Sequence, residues 1–262
     1  MKILVCLKQV PDTTKVEIDE QTGVLKRDGV DSKMNPYDLY ALETSLRIKE
    51  QMGGKVTVLT MGPPQAKAVI KEAYMMGADE GYLISDRSFA GSDVLATAYT
   101  IAQAIKVIGE QDLIICGKQT TDGDTAQVGP AVAELLGIPH VAWVNSIKDI
   151  KAEAMTVSQD MANSVETVEI SFPCLITVEK DIYQPRLPSY RKKLLTEDRP
   201  IKVLSLKDFL DQDESHYGLK GSATQVERIF PPDNEVEQEV WVGEGVDLAS
   251  RIADKLKELR FI

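Results

Sequence analysis

One stretch of the chain concentrates small polar residues and glycines: Gly117, Lys118, Gln119, Thr120, Thr121, Asp122, Gly123, Asp124, Thr125, Ala126, Gln127, Val128, Gly129 and Pro130 in unbroken succession. It leads out of the apolar run DLIIC at 112–116 and into the apolar-periodic segment AVAELLG. Asp122, Asp124 and Thr125 carry side chains of the kind that cap a helix start. The first amides of a helix have no acceptor within it, and its dipole is positive at that end. An anion can therefore be held there without a basic side chain. A plain capped helix after a polar loop satisfies the same pattern. Thr60-Met61-Gly62-Pro63-Pro64, with a glycine that admits close approach to the backbone, and Asn35-Pro36-Tyr37-Asp38, a cap-like start, have the same two readings. Neither GxxxxGK[ST] nor a GxGxxG after the first apolar run is present, so both familiar nucleotide loops are missing.

Other chemistry has few candidates. His140 and His216 are the chain's two histidines and stand in no metalloprotease spacing. Cys6, Cys116 and Cys174 are odd in number and far apart, which removes a disulfide framework and a CxxC pair and fits a reducing cytosol. With 30 Lys+Arg against 41 Asp+Glu, the formal charge of −11 argues against a nucleic-acid or anionic-membrane binder. The first apolar run is too short for a signal sequence and no stretch is long enough to span a bilayer, so a soluble, cytoplasmic chain is expected.

The elements needed to position these residues follow from apolar periodicity. Buried strands are expected at 2–7, 55–60, 80–84 and 112–116. Helices are expected between them, one begun by Asn35-Pro36, one by Pro63-Pro64 and one capped by Ser92 or Asp93. This alternation predicts a parallel sheet covered by helices on both faces, with ligands at the carboxyl ends of the strands. After about residue 138, segments 140–150, 153–160 and 165–170 read as short antiparallel strands, and 174–179 as one more buried strand. Residues 196–262 read as an arm, weakly apolar to about 245 and ending in a helix with Leu248, Ile252, Leu256 and Leu259 on one face. The expected division is a nucleotide-binding α/β domain at 1–195 followed by that arm.

Lys8-Gln9-Val10-Pro11-Asp12, Asn35-Pro36-Tyr37-Asp38, Met61-Gly62-Pro63, Gly77-Ala78-Asp79 and, above all, GKQTTDGDTAQVGP at 117–130 together resemble the β subunit of electron-transfer flavoproteins. The resemblance covers nearly the whole chain and implies a Rossmann-like domain, with the C-terminal arm packing on a homologous α subunit that carries an FAD. It also implies an adenine nucleotide in this subunit, AMP in conventional members and a second FAD in electron-bifurcating ones. The implied contacts are Cys6, Asn35, Pro36, Tyr37, Asp38, Met61 and Gly117 through Val128. A redox-thiol role for Cys6 is the weaker alternative, because nothing basic and no second cysteine is adjacent in sequence.

The VPDT sequence, with Thr13 where conventional members carry a bulky aromatic, resembles the bifurcating type, and a smaller residue leaves room for a flavin ring. FAD is therefore expected, with AMP as the alternative. On that resemblance a hydride pair from NADH divides into single electrons, one route leading to ferredoxin or flavodoxin and the other through the α-subunit FAD to an acyl-CoA or hydroxy-acid dehydrogenase. Lys8, Gln9, Asp12 and Thr13 are candidate tuning groups. The segment 182–196 contains Arg186, Arg191, Lys192 and Lys193 and no acid, and the resemblance assigns Leu187, Arg191, Lys192 and Lys193 to docking of the partner dehydrogenase. A conventional AMP-containing carrier is the alternative within the family. An adenine-nucleotide sensor or ATP-pyrophosphatase-like enzyme is the alternative from another class, but it would need an SGGxDS-type loop where KQVPDT stands.

Overall fold

The computed structural model describes residues 1–12, 32–227 and 239–262. Thr13 lies outside these residues. In chain order the elements are β1 (Lys2–Leu7), β2 (Gln9–Pro11), β3 (Ser32–Met34), α1 (Pro36–Met52), β4 (Lys55–Met61), α2 (Lys67–Met76), β5 (Glu80–Ile84), α3 (Val94–Ile108), β6 (Leu113–Gly117) and α4 (Val128–Leu136). There follow β7 (His140–Ile150), β8 (Ala154–Asp160), β9 (Val165–Ser171), β10 (Cys174–Val178), α5 (Tyr190–Thr196), β11 (Ile201–Leu204), α6 (Gly218–Gly221) and α7 (Gly245–Glu258).

Among the described residues the main sheet has nine strands in the order β11-β5-β4-β1-β6-β10-β7-β8-β9. From β11 to β7 every pairing is parallel; β7-β8 and β8-β9 are antiparallel and form the expected extension. The alternation along β1 decides the layering. Ile3, Val5 and Leu7 pack with Leu42 and Leu46 of α1 and with Ile70 and Ala73 of α2. Leu4 packs on the other face with Ala98 and Ile101 of α3 and with Val132 of α4. Buried on both sides, the central strands read as continuous apolar runs, which is why their positions follow from sequence alone.

The chain from β1 returns through α1 to β4 on one side, whereas β6 lies on the other. The carboxyl ends of β1 and β6 therefore part from one another, and such a switch point opens a crevice.

The first compact unit runs to Glu227, beyond the position where the sequence places the start of the arm. Ile201–Leu204 joins the main sheet as β11, and Phe209 and Tyr217 enter the core beside Phe89. The second unit, Arg228–Ile262, contains α7, whose Val246, Ile252 and Leu256 are exposed and whose Arg251 lies 5.0 Å above the Trp241 ring. Among the described residues no helix is long and apolar enough to cross a membrane.

The segment before α5 is held to α1 by Arg186, which donates to Glu43 at 2.8 Å and to Glu50 at 2.6 Å. Burial by itself would raise the Glu43 carboxyl, but hydrogen bonds from Arg186 and Arg47 hold it below the ordinary glutamate value. Such a group stabilises the fold above the carboxylate range and loses that contribution as pH falls through its folded pKa. Arg186→Ala is expected to cost about 1–3 kcal/mol at pH 7, below the cost of breaking a fully buried pair because the guanidinium is partly solvated. Denaturant melts from pH 7 down to pH 3 should show the variant converging on the wild type in acid.

Candidate functional site

A cleft of about 640 Å³ opens at the carboxyl ends of β5, β4, β1 and β6, within the range of small-molecule and cofactor sites. Of the residues singled out from sequence, Cys6, Asp38, Met61, Gly117, Lys118, Gln119, Thr120, Asp122, Gly123, Thr125, Ala126, Gln127 and Val128 line it. Asn35, Pro36, Tyr37, Thr121 and Asp124 do not. Lys8, Gln9, Val10 and Pro11 form a further part of the wall with Ser32. Phe89, Ser92, Asp93, Val94, Thr97 and Ile101 line it too and were not anticipated. The available signal for them was Asp93 at the start of an apolar helix, where its side chain accepts from the Ala96 amide at 3.0 Å.

The 117–129 loop departs from the expected capping. Gln127 is the N-cap of α4, and no side chain caps this helix. Asp122 instead accepts from Lys8 Nζ at 2.7 Å, and Asp124 accepts from the Gln119 amide group. Although burial opposes it, Lys8 holds the Asp122 carboxyl below its ordinary value. With these acids diverted, the amides of Val128 and Gly129 lack an intrahelical acceptor and Pro130 has no amide to satisfy.

Asp124 and Ala126 have φ of +54° and +56°, a left-handed conformation that is uncommon for non-glycine residues. Ala126 is followed by Gln127 in the right-handed region, a succession that can turn consecutive amides toward one concave point, as in an anion nest. Gly129 permits close packing behind it, since a Cβ there would lie 2.5 Å from Thr177 Cγ2. This donor set fits a phosphate. The lysines of the wall are already engaged: Lys8 with Asp122, and Lys118 with Glu179 at 2.5 Å while lying 5.0 Å from the Trp143 ring centre.

Asn35 is completely buried and acts behind the site. Rather than capping α1, its Nδ2 donates to Gln119 O at 2.9 Å and its Oδ1 accepts from Thr121 N at 3.2 Å. Its own amide donates to Lys8 O at 2.9 Å. One turn further along α1, the Asp38 carboxylate accepts from Lys8 N at 2.7 Å and from the Gly117 amide. Burial pushes the Asp38 carboxyl up to about 7, against the lowering effect of the Asn35 side chain and these amides. Pro36 and Tyr37 belong to the same turn, and Tyr37 packs so closely on Gly117 that a Cβ there would be 2.8 Å from the tyrosine Cβ.

No group of three or more His, Cys, Asp or Glu is placed to hold a metal among the described residues. What the site offers is an uncapped helix start, a partly apolar wall and a parallel-sheet crevice, features that nucleotide-binding α/β proteins share.

The comparisons with known proteins give the family. The model of the electron transfer flavoprotein domain matches residues 22–208. The electron transfer flavoprotein subunit beta of Thermoanaerobacterium thermosaccharolyticum is 42% identical, with 100% of both chains covered. The caffeyl-CoA reductase-Etf complex subunit CarD of Acetobacterium woodii is 43% identical, again over 100% of both. Protein FixA of Azorhizobium caulinodans is 41% identical over 92% of this chain and 88% of its own. The chain belongs to the electron transfer flavoprotein family, as a β subunit.

Asn35→Ala is expected to leave the Gln119 carbonyl and the Thr121 amide without their buried partner. The cost is about 1–3 kcal/mol of stability. Because the same loop carries the anion nest, affinity for an adenine nucleotide should fall while the other cleft walls keep their structure; denaturant melts and equilibrium dialysis read the two effects separately.

Proposed function

We propose that this β subunit binds FAD in the cleft and takes part in electron bifurcation, receiving electrons from NADH. Ferredoxin or flavodoxin is the low-potential acceptor in this reading, and a partner dehydrogenase is reached through the FAD of an α subunit. The observation that carries it is the uncapped start of α4 with the left-handed Ala126 before it, which would serve as a receptor for nucleotide phosphate. Beyond this end, the cleft continues along Gln9, Val10, Pro11 and Ser32, which favours a dinucleotide over AMP. The relative whose name places it in a caffeyl-CoA reductase-Etf complex supports association with an enzyme that handles an acyl-CoA.

Bound flavin would supply both two-electron and one-electron chemistry, so the protein itself needs no acid–base apparatus. The residues of this chain would orient and enclose it. Ala126 through Gly129 would hold the phosphates with backbone amides, Gly62 would let the adenine approach the chain at Met61, and Lys8 and Gln9 would face the more distal part. Asn35 would keep the phosphate loop in register without touching the ligand.

The docking surface is narrower than its sequence suggests. Leu187 is 88% exposed, and Tyr190, Leu194 and Leu195 of α5 are exposed beside it. Arg186 is spent on Glu43 and Glu50, and Lys192 Nζ donates to Met76 O at 2.8 Å at the end of α2. Arg191 and Lys193, which have no ion pair among the described residues, would guide encounter, and the leucines would supply the anchor. The exposed apolar residues of α7 support the reading that the C-terminal segment packs on the α subunit.

The direct test is the cofactor content of the purified αβ pair. The proposal expects two FAD per heterodimer and NADH-dependent ferredoxin reduction; one FAD with one AMP would replace it by the conventional carrier. Leu187→Ala is expected to slow transfer to the dehydrogenase at least about tenfold, the effect of losing a docking anchor of ~1.4 kcal/mol, with flavin content unchanged. Transfer at the wild-type rate would remove this loop from the docking surface.

A further inference from the structure

Cys6 and Cys116 are far apart in sequence, but they end neighbouring parallel strands at the floor of the cleft. The register of β1 with β6 pairs Val5 with Ile115, the residues immediately before them. Both side chains lie on the α3–α4 face of the sheet and line the cleft, Cys116 buried and Cys6 half-buried. The two thiols are therefore neighbours across the β1–β6 pairing, on one face of the sheet. Cys174 is buried against the opposite face and is not part of the cleft wall. The fold thus creates a vicinal dithiol that no spacing in the sequence announces.

The pair is poorly suited to thiolate chemistry. The neighbouring Cys6 thiol, burial and the nearby Asp38 push the Cys116 thiol well up, and Lys8 of the same wall is committed to Asp122. Peroxide oxidation requires thiolate character and exposure, whereas a soft bridging electrophile can engage two protonated thiols together.

The geometry points to Cys6 and Cys116 as a bridging modification site for trivalent arsenicals, reachable when the cleft is open and shielded when a nucleotide fills it. With phenylarsine oxide, two S–As bonds form and the bonds between arsenic and its oxygen break. Both thiol protons leave with that oxygen as water, and no electrons are exchanged with another reactant. The shielding part rests on the reading of the cleft as a nucleotide site; the bridging part does not.

The test treats the full chain, stripped of nucleotide, with phenylarsine oxide and follows intact mass after washing with a monothiol. The wild type and Cys174→Ala are expected to retain a single phenylarsenic group that dimercaprol removes. Cys6→Ser and Cys116→Ala are each expected to retain none, with circular dichroism confirming that they fold. If one of them misfolds, peptide mapping of the wild-type adduct decides the matter, because both cysteines must appear in one bridged species. A stable adduct on Cys174, on a single cysteine, or none in the wild type overturns the bridging site. In the second arm, FAD at about 100 times its Kd, with binding followed by equilibrium dialysis, should slow labelling about 100-fold. Binding without protection overturns the shielding. Failure of FAD to bind, with bridging intact, counts against the nucleotide reading and leaves the dithiol standing.

Discussion

The site depends on how the parting ends of β1 and β6 are held. Two adjacent strands whose chains leave in different directions would expose unpaired backbone groups just where the sheet opens. The first turn of α1 closes that gap. Asp38 accepts from Lys8 N and from the Gly117 amide, while Asn35 joins Lys8 O, Gln119 O and Thr121 N. A carboxylate and an amide supply both acceptors and donors, so one helical turn can satisfy strand ends of either kind. The crevice can then stay open to a ligand without a cost in unsatisfied hydrogen bonds.

The same arrangement would let an acidic chain serve an anionic ligand. Asp122 and Asp124 lie within the loop that would receive phosphate, yet neither faces it unpaired: Lys8 neutralises the first, and the second is turned to Gln119. The positive end of such a site would be built from backbone amides of Ala126 through Gly129, in a loop that holds Asp124 and Ala126 in the left-handed region. A net charge of −11 and a phosphate receptor are compatible because they reside in different parts of the structure.

Much of the fold could be read from the chain because its signals were local. KILVCL, KVTVLT and DLIIC are apolar runs that both sheet faces bury, and Gly53, Gly77 and Gly137 close α1, α2 and α4. The start of α4 was legible for the same reason: a helix start leaves a mark in consecutive residues. What escaped was long-range. Asn35 looked like a helix cap because its sequence context is that of one, and its bonds to Gln119 and Thr121 arise only when β6 lies beside β1. Arg186 belonged by composition to a basic island, but the fold places Glu43 and Glu50 beside it. Cys116 became a neighbour of Cys6 by strand order, and β11 could not be expected from IKVL, a short run with exposed Lys202 and Val203 at a sheet edge.

Backbone amides, rather than lysine side chains, would receive the nucleotide phosphate. Residue-resolved amide hydrogen exchange of the full chain, with and without saturating FAD, addresses this. Amides 126–129 should become strongly protected on binding, with Thr121 already protected in both states through Asn35. Saturable binding that leaves 126–129 exchanging at the unliganded rate would contradict it.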